Sequence, residues 1–135
     1  VPRGELFDPL FGAAELGATL SDRAWITALI QVECALARAQ AATGVLDEEY
    51  ANAIDAAGPE LARRLDPEQL GGAAVAGGNP VIPLVGELRR ACAAANVPPA
   101  AVHKGATSQD ILDNALSLLA QRAGTLVVDD LRAAA

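Results

Sequence analysis

From Ser108 to Ala135 the chain runs without a proline, and Ile111, Leu112, Ala115, Leu118, Leu119, Leu126, Val127 and Leu131 recur at three- and four-residue steps. That spacing puts one apolar stripe on an α-helix. At about 1.5 Å per residue the helix is roughly 40 Å long, more than a small domain encloses by itself. The fold must therefore be organised around a rod. Just before it stands Val102-His103-Lys104-Gly105-Ala106-Thr107-Ser108-Gln109-Asp110, the densest polar stretch of the chain. Thr107 and Ser108 are helix-capping residues, and Asp110 lies where a carboxylate answers the free amides and positive dipole end of the first turn.

What packs against the rod is set by composition. Phe7, Phe11, Trp25 and Tyr50 are the only aromatic residues among 135, so the core is built from Ala, Leu, Val and Ile. Small side chains allow helices to approach closely, and Ala is the best helix former. An all-α fold follows, with one domain's worth of core.

A net charge of −7 excludes a nucleic-acid surface, which needs clustered cations. The pairs Arg63-Arg64 and Arg89-Arg90 read as solvated faces. No apolar run approaches the ~18 residues of a membrane span, and no basic-then-apolar leader opens the sequence. Cys34 and Cys92, set among alanines with no C-x-x-C pairing, read as buried free thiols, in keeping with a reducing cytoplasm. Val1-Pro2-Arg3-Gly4 is either native or the remnant of a cleavable tag.

In chain order, Glu5 to Ala18 reads as an irregular arm whose Phe7, Leu10, Phe11 and Leu16 tuck into another element. Thr19-Leu20-Ser21-Asp22 starts a helix with Trp25, Leu29, Val32, Leu36 and Ala39 inward, stopped by Gly44. Glu33 falls near this apolar face, as a partly buried carboxylate paired with an arginine. Asp47 begins a helix through Ile54, which Gly58-Pro59 separates from a short piece, Glu60 to Leu65. Asp66-Pro67 starts one more turn, giving way to a loop at Gly71-Gly72-Ala73-Ala74-Val75-Ala76-Gly77-Gly78 that lacks nucleotide-binding spacing. Asn79 caps a helix with Pro80 at its first position and Val81, Leu84, Val85, Leu88 and Cys92 buried. That helix stops by Asn96, and Val97-Pro98-Pro99 stiffens the approach to His103.

A helix N-terminus approached by a glycine, two hydroxyls, an amide and the chain's single histidine suits an anion, and a carboxylate is its natural occupant. Lys104 beside His103 supplies the local positive charge that an acidic protein otherwise lacks. The competing reading is that Thr107 and Ser108 only cap the helix and His103 is a loop histidine.

The run His103-x-Gly105-Ala106-Thr107-Ser108-Gln109-Asp110-Ile111-Leu112-Asp113 resembles the first conserved region of the fumarase/aspartase superfamily, within it most nearly the cycloisomerases of 3-carboxy-cis,cis-muconate. Gly78-Asn79-Pro80-Val81-Ile82-Pro83-Leu84-Val85 and Val32 to Gln40 with Gly44-Val45-Leu46 resemble that branch's first helices, whereas Lys104 and Asn114 depart from its pattern. The resemblance runs from about Phe7 to the last residue and covers roughly the first third of a family chain. It implies an N-terminal helical domain over residues 5–99, and over 100–135 a substrate-binding loop with the opening of a long central-bundle helix. It further implies Thr107, Ser108, Gln109 and Lys104 as substrate-binding residues, His103 as an acid or substrate ligand, Asp110 and Asn79 as structural caps, and no metal or organic cofactor. The implied activity is closure of 3-carboxy-cis,cis-muconate to a carboxymuconolactone in protocatechuate (β-ketoadipate) catabolism, by a cytoplasmic homotetramer. The family's later histidine-bearing region and its mobile serine loop have no counterpart here, and each family active site draws on three subunits, so the 135 residues alone are expected to be inactive. Alternatives are a fumarate-releasing lyase of the same superfamily, such as adenylosuccinate lyase, and a non-catalytic helical assembly module.

Overall fold

The computed structural model describes Phe7 and residues 12–135. Among these residues there is no strand; six α-helices follow one another: α1 (Ala14–Thr19), α2 (Asp22–Ala42), α3 (Glu48–Arg64), α4 (Pro67–Ala74), α5 (Val81–Cys92) and α6 (Ser108–Ala134). Short 3-10 turns at Ala93–Ala95 and Pro99–Ala101 join α5 to α6. The all-α expectation is met. No described helix is long and apolar enough to cross a membrane.

The hub is α2, which packs most extensively on α3 and next on α6, while α5 closes the core from the α3 side. Ser21 starts α2, its Oγ accepting from Ala24 N at 3.2 Å. Gly44, at φ 73°, ends it in a left-handed turn that a side chain would strain. Because α2 is covered on two sides, its buried residues span a wide arc: Ile26, Ala28, Leu29, Ile30, Glu33, Cys34 and Ala37. Of the expected stripe Leu29 is buried, Trp25, Val32 and Leu36 form a half-buried flank, and Ala39 is exposed.

Two expected breaks are absent. α3 runs straight through Gly58-Pro59 because Ala51, Ile54, Gly58, Leu61 and Ala62 form one unbroken buried stripe. Pro59 itself is exposed, so the backbone carbonyl that loses its amide partner can be met by water. Gly58 is required for packing: a Cβ there would lie 2.5 Å from Cys34 Sγ and 3.0 Å from Ile30 Cγ2. Likewise α4 continues over Gly71 and Gly72 to Ala74, started by Asp66 Oδ1 accepting from Glu68 N at 2.8 Å and held by buried Leu70 and Ala74. Burial outweighs the helix-breaking tendency of glycine, which costs roughly 1 kcal/mol.

The expected irregular arm is helical over α1, where Leu16 is half-buried. Phe7 is half-exposed, at 51 %, and Leu10 and Phe11 lie outside the described residues. In α5 all five expected residues, Val81, Leu84, Val85, Leu88 and Cys92, are buried. Asn79 Oδ1 accepts from Val81 N at 2.9 Å, with Pro80 one position ahead of the helix. Both thiols are free and buried; burial foremost, then the neighbouring Asp55 charge, pushes Cys34 up to about 11.

Candidate carboxylate site at the head of helix α6

The loop before α6 is lashed to α2. Gln40 Nε2 donates to Lys104 O at 2.6 Å, while Lys104 Nζ donates to Val45 O at 2.6 Å. Two helical turns earlier on the same face of α2 lies Glu33, whose Oε1 is 2.7 Å from His103 Nδ1. From the other side Arg89 of α5 reaches Val102 O at 3.4 Å. These ties hold His103 at φ 63° and Gly105 at φ 69°. A left-handed histidine costs roughly 1–2 kcal/mol and persists only where its surroundings fix it.

The Glu33 side chain is 1 % exposed and that of His103 14 %. Loss of hydration pushes the Glu33 carboxyl above its ordinary value, against the opposing pull of His103 and Arg89. The arginine expected to pair with Glu33 is thus replaced by histidine as direct partner, with Arg89 acting only from a distance. His103 Nε2 has no partner among the described residues, and no described side-chain polar atom is both buried and unpartnered. The outer nitrogen is therefore open to a ligand.

At the head itself Thr107 caps α6. Its Oγ1 accepts from Gln109 N at 3.4 Å, and Asp110 Oδ2 accepts from Thr107 N at 2.8 Å, a reciprocal capping box. Accepting uses one lone pair of the threonine oxygen and leaves its proton free to donate. Capping and ligand binding are consequently compatible. Ser108, half-buried, has no hydroxyl partner among the described residues, and Gln109 holds Asp113 Oδ1 at 2.6 Å with an amide that retains a second proton. Lys104, read from the sequence as a substrate ligand, directs its ammonium to Val45. Sequence reasoning missed Glu33 and Gln40 as supports of the loop; their spacing shows only that they share a face of α2. A cleft of about 390 Å³ lined by Arg23, Thr27, Ile30, Gln31, Cys34 and Pro59 among others contains none of the residues of this head.

Such a head can hold a carboxylate with hydroxyl and amide donors and present an imidazole nitrogen to it. A solved structure shares the whole arrangement of helices: the 3-carboxy-cis,cis-muconate lactonizing enzyme of Pseudomonas putida matches with a TM-score of 0.84 and 39% identity, over 95% of this chain and 29% of that one. In sequence and fold this chain is similar to the helical N-terminal domain of the 3-carboxy-cis,cis-muconate cycloisomerases. No family model matches it. Among curated relatives, the 3-carboxy-cis,cis-muconate cycloisomerase of Pseudomonas aeruginosa is 42% identical over 133 residues, covering 98% of this chain and 28% of the relative. Nitrosuccinate lyase of Streptomyces davaonensis is 45% identical over 129 residues, 93% of this chain and 26% of the relative. The chain thus spans between a quarter and a third of the length of the relatives it matches, which are lyases and cycloisomerases.

Proposed function

We propose that the chain is the N-terminal part of a cycloisomerase that closes 3-carboxy-cis,cis-muconate to a carboxymuconolactone. The observation that carries this reading is the capped head of α6, where Thr107 and Ser108 keep hydroxyl protons to donate in the same short loop-to-helix stretch as His103, whose Nε2 has no partner among the described residues, in a chain 42% identical to a cycloisomerase of that substrate. Lactone closure needs several carboxylates held still while one attacks a double bond and a proton reaches carbon. Fixed hydroxyls and helix amides do the holding. Thr107, Ser108 and Gln109 are the ligands, Lys104 adds charge from behind the loop, Asp110 and Asn79 are caps, and His103 binds substrate or serves as the acid. The site needs no metal or organic cofactor.

Residues 5–99 form the N-terminal domain, and residues 100–135 the binding loop and the opening of a bundle helix. These 135 residues bind without turning substrate over; steady-state lactone formation by the purified chain would refute that. The whole protein works in protocatechuate catabolism as a cytoplasmic homo-oligomer that covers the apolar face of α6. Light scattering checks this, a monomer being the contrary result.

A specific observation favours one second reading, elimination from a substituted succinate: nitrosuccinate lyase is as similar as the cycloisomerases. Assaying the whole protein on 3-carboxy-cis,cis-muconate and on nitrosuccinate, by ultraviolet absorbance, decides between them.

A further inference from the structure

We propose that Glu33 is the positioning residue for His103: the buried carboxylate keeps Nδ1 protonated and turned inward, leaving Nε2 as the ring's single point of proton exchange with a bound carboxylic substrate. The proposal rests on the reading of the α6 head as a carboxylate site.

Glu33 is the one buried charged residue among the described core positions. Its neighbours in sequence on the buried arc of α2 are Ile26, Leu29, Ile30 and Ala37, so an aliphatic side chain would suit the packing there. A buried ion pair seldom adds stability over a well-packed apolar pair, which makes the acid informative about chemistry instead. Which imidazole nitrogen carries the proton is set by what the other one bonds. Here Nδ1 is 2.7 Å from Glu33 Oε1, and Nε2 is the nitrogen without a partner among the described residues. The charged groups around the pair leave no rival for Nδ1: Arg89 on α5 is directed to Val102 O, and Lys104 in the loop to Val45 O. Cys34, beside Glu33 on α2, has its Sγ 3.7 Å from Ile54 O.

The proton count is simple. A doubly protonated ring gives its Nε2 proton to the substrate and is left neutral, with Nδ1–H still on Glu33; solvent then restores the proton. Run backwards, the neutral ring accepts at Nε2. In neither direction does Glu33 change its own protonation.

The test is a long-range proton–nitrogen correlation spectrum of the uniformly ¹⁵N-labelled 135-residue chain at a pH where the ring is neutral. Expected are a pyrrole-like Nδ1 and a pyridine-like Nε2; the reverse assignment makes Glu33 the donor and overturns the proposal. In Glu33→Leu, with the backbone spectrum of α3 to α6 retained, the two nitrogen shifts should converge toward the average of exchanging tautomers, and an unchanged pattern would overturn it. Should that variant unfold, the wild-type assignment decides alone. Succinate added as probe should move Nε2 more than Nδ1. If the tautomer is as expected but succinate moves no resonance of residues 103–109, the carboxylate-site reading falls while the role of Glu33 in fixing the ring stands.

Discussion

In the first three turns of α6, Ile111, Ala115 and Leu119 are buried in the common core, whereas beyond Gly124 the same spacing leaves Val127 44 % and Leu131 65 % exposed. The near half is also capped, tied through its loop to Glu33, Gln40 and Arg89, and carries the site. The last tie to α2 is Arg122, which donates to Gln31 Oε1 at 2.7 Å, and beyond Gly124 the hydrogen bonds from side chains are local to the helix: Thr125 to Gln121 O, and Arg132 to Asp129. Periodicity fixes which residues share a face; it is silent on what, if anything, covers that face. The near half is built to hold a loop still, and the far half offers an apolar surface for whatever packs next.

The near half is anchored most firmly at Leu119, which is fully buried. Leu119→Ala should cost about 2–5 kcal/mol in urea unfolding, and a loss as small as that of a surface change would mean the near half is not anchored. A smaller, pH-dependent effect belongs to Glu33. Its carboxyl is raised in the folded state by burial, so the folded chain holds that proton more tightly than the unfolded one, and the group's contribution is complete below the unfolded value of 4.5 and is lost as pH rises through the folded value. Glu33→Gln should flatten the stability curve from pH 4.5 upward, and parallel curves for the two proteins would contradict it. Thr107→Ala removes the cap and should cost about 1 kcal/mol. In the far half, Gly124 has open space where a Cβ would go. Gly124→Ala should therefore stabilise by about 0.5–1 kcal/mol if that half stays helical, and by nothing if it frays. Leu131→Ala should fall within about 0.5 kcal/mol of wild type in the monomer, and a larger loss that depends on protein concentration would reveal a partner on that face.

Much of this was legible in the residues, and unevenly so. Ser21, Gly44 and the Thr107–Asp110 box announce helix ends because capping is local chemistry that a few residues decide. The buried face of α5 could be read because Val81, Leu84, Val85, Leu88 and Cys92 lie on one narrow stripe at three- and four-residue steps. On α2 the same reasoning found Leu29 but otherwise chose the flank, since a helix between two partners buries an arc too wide for one stripe to describe. Gly58-Pro59 and Gly71-Gly72 misled for the opposite reason: local breaker signals were outweighed by continuous burial at Ile54, Leu61 and Leu70. The contact between Glu33 and His103 joins residues 70 apart in sequence, and no local rule links an acid on one helix to a histidine in a distant loop. Lys104 was legible as a cation but not as one committed to Val45.

The central claim is that the head of α6 receives a carboxylate, and it is tested most directly by titrating the ¹⁵N-labelled chain with succinate while following backbone amides. Saturable shifts confined to residues 103–109 are expected, with residues 124–131 of the same helix unmoved. Silence at the head, or equal drift along the whole helix, would contradict it.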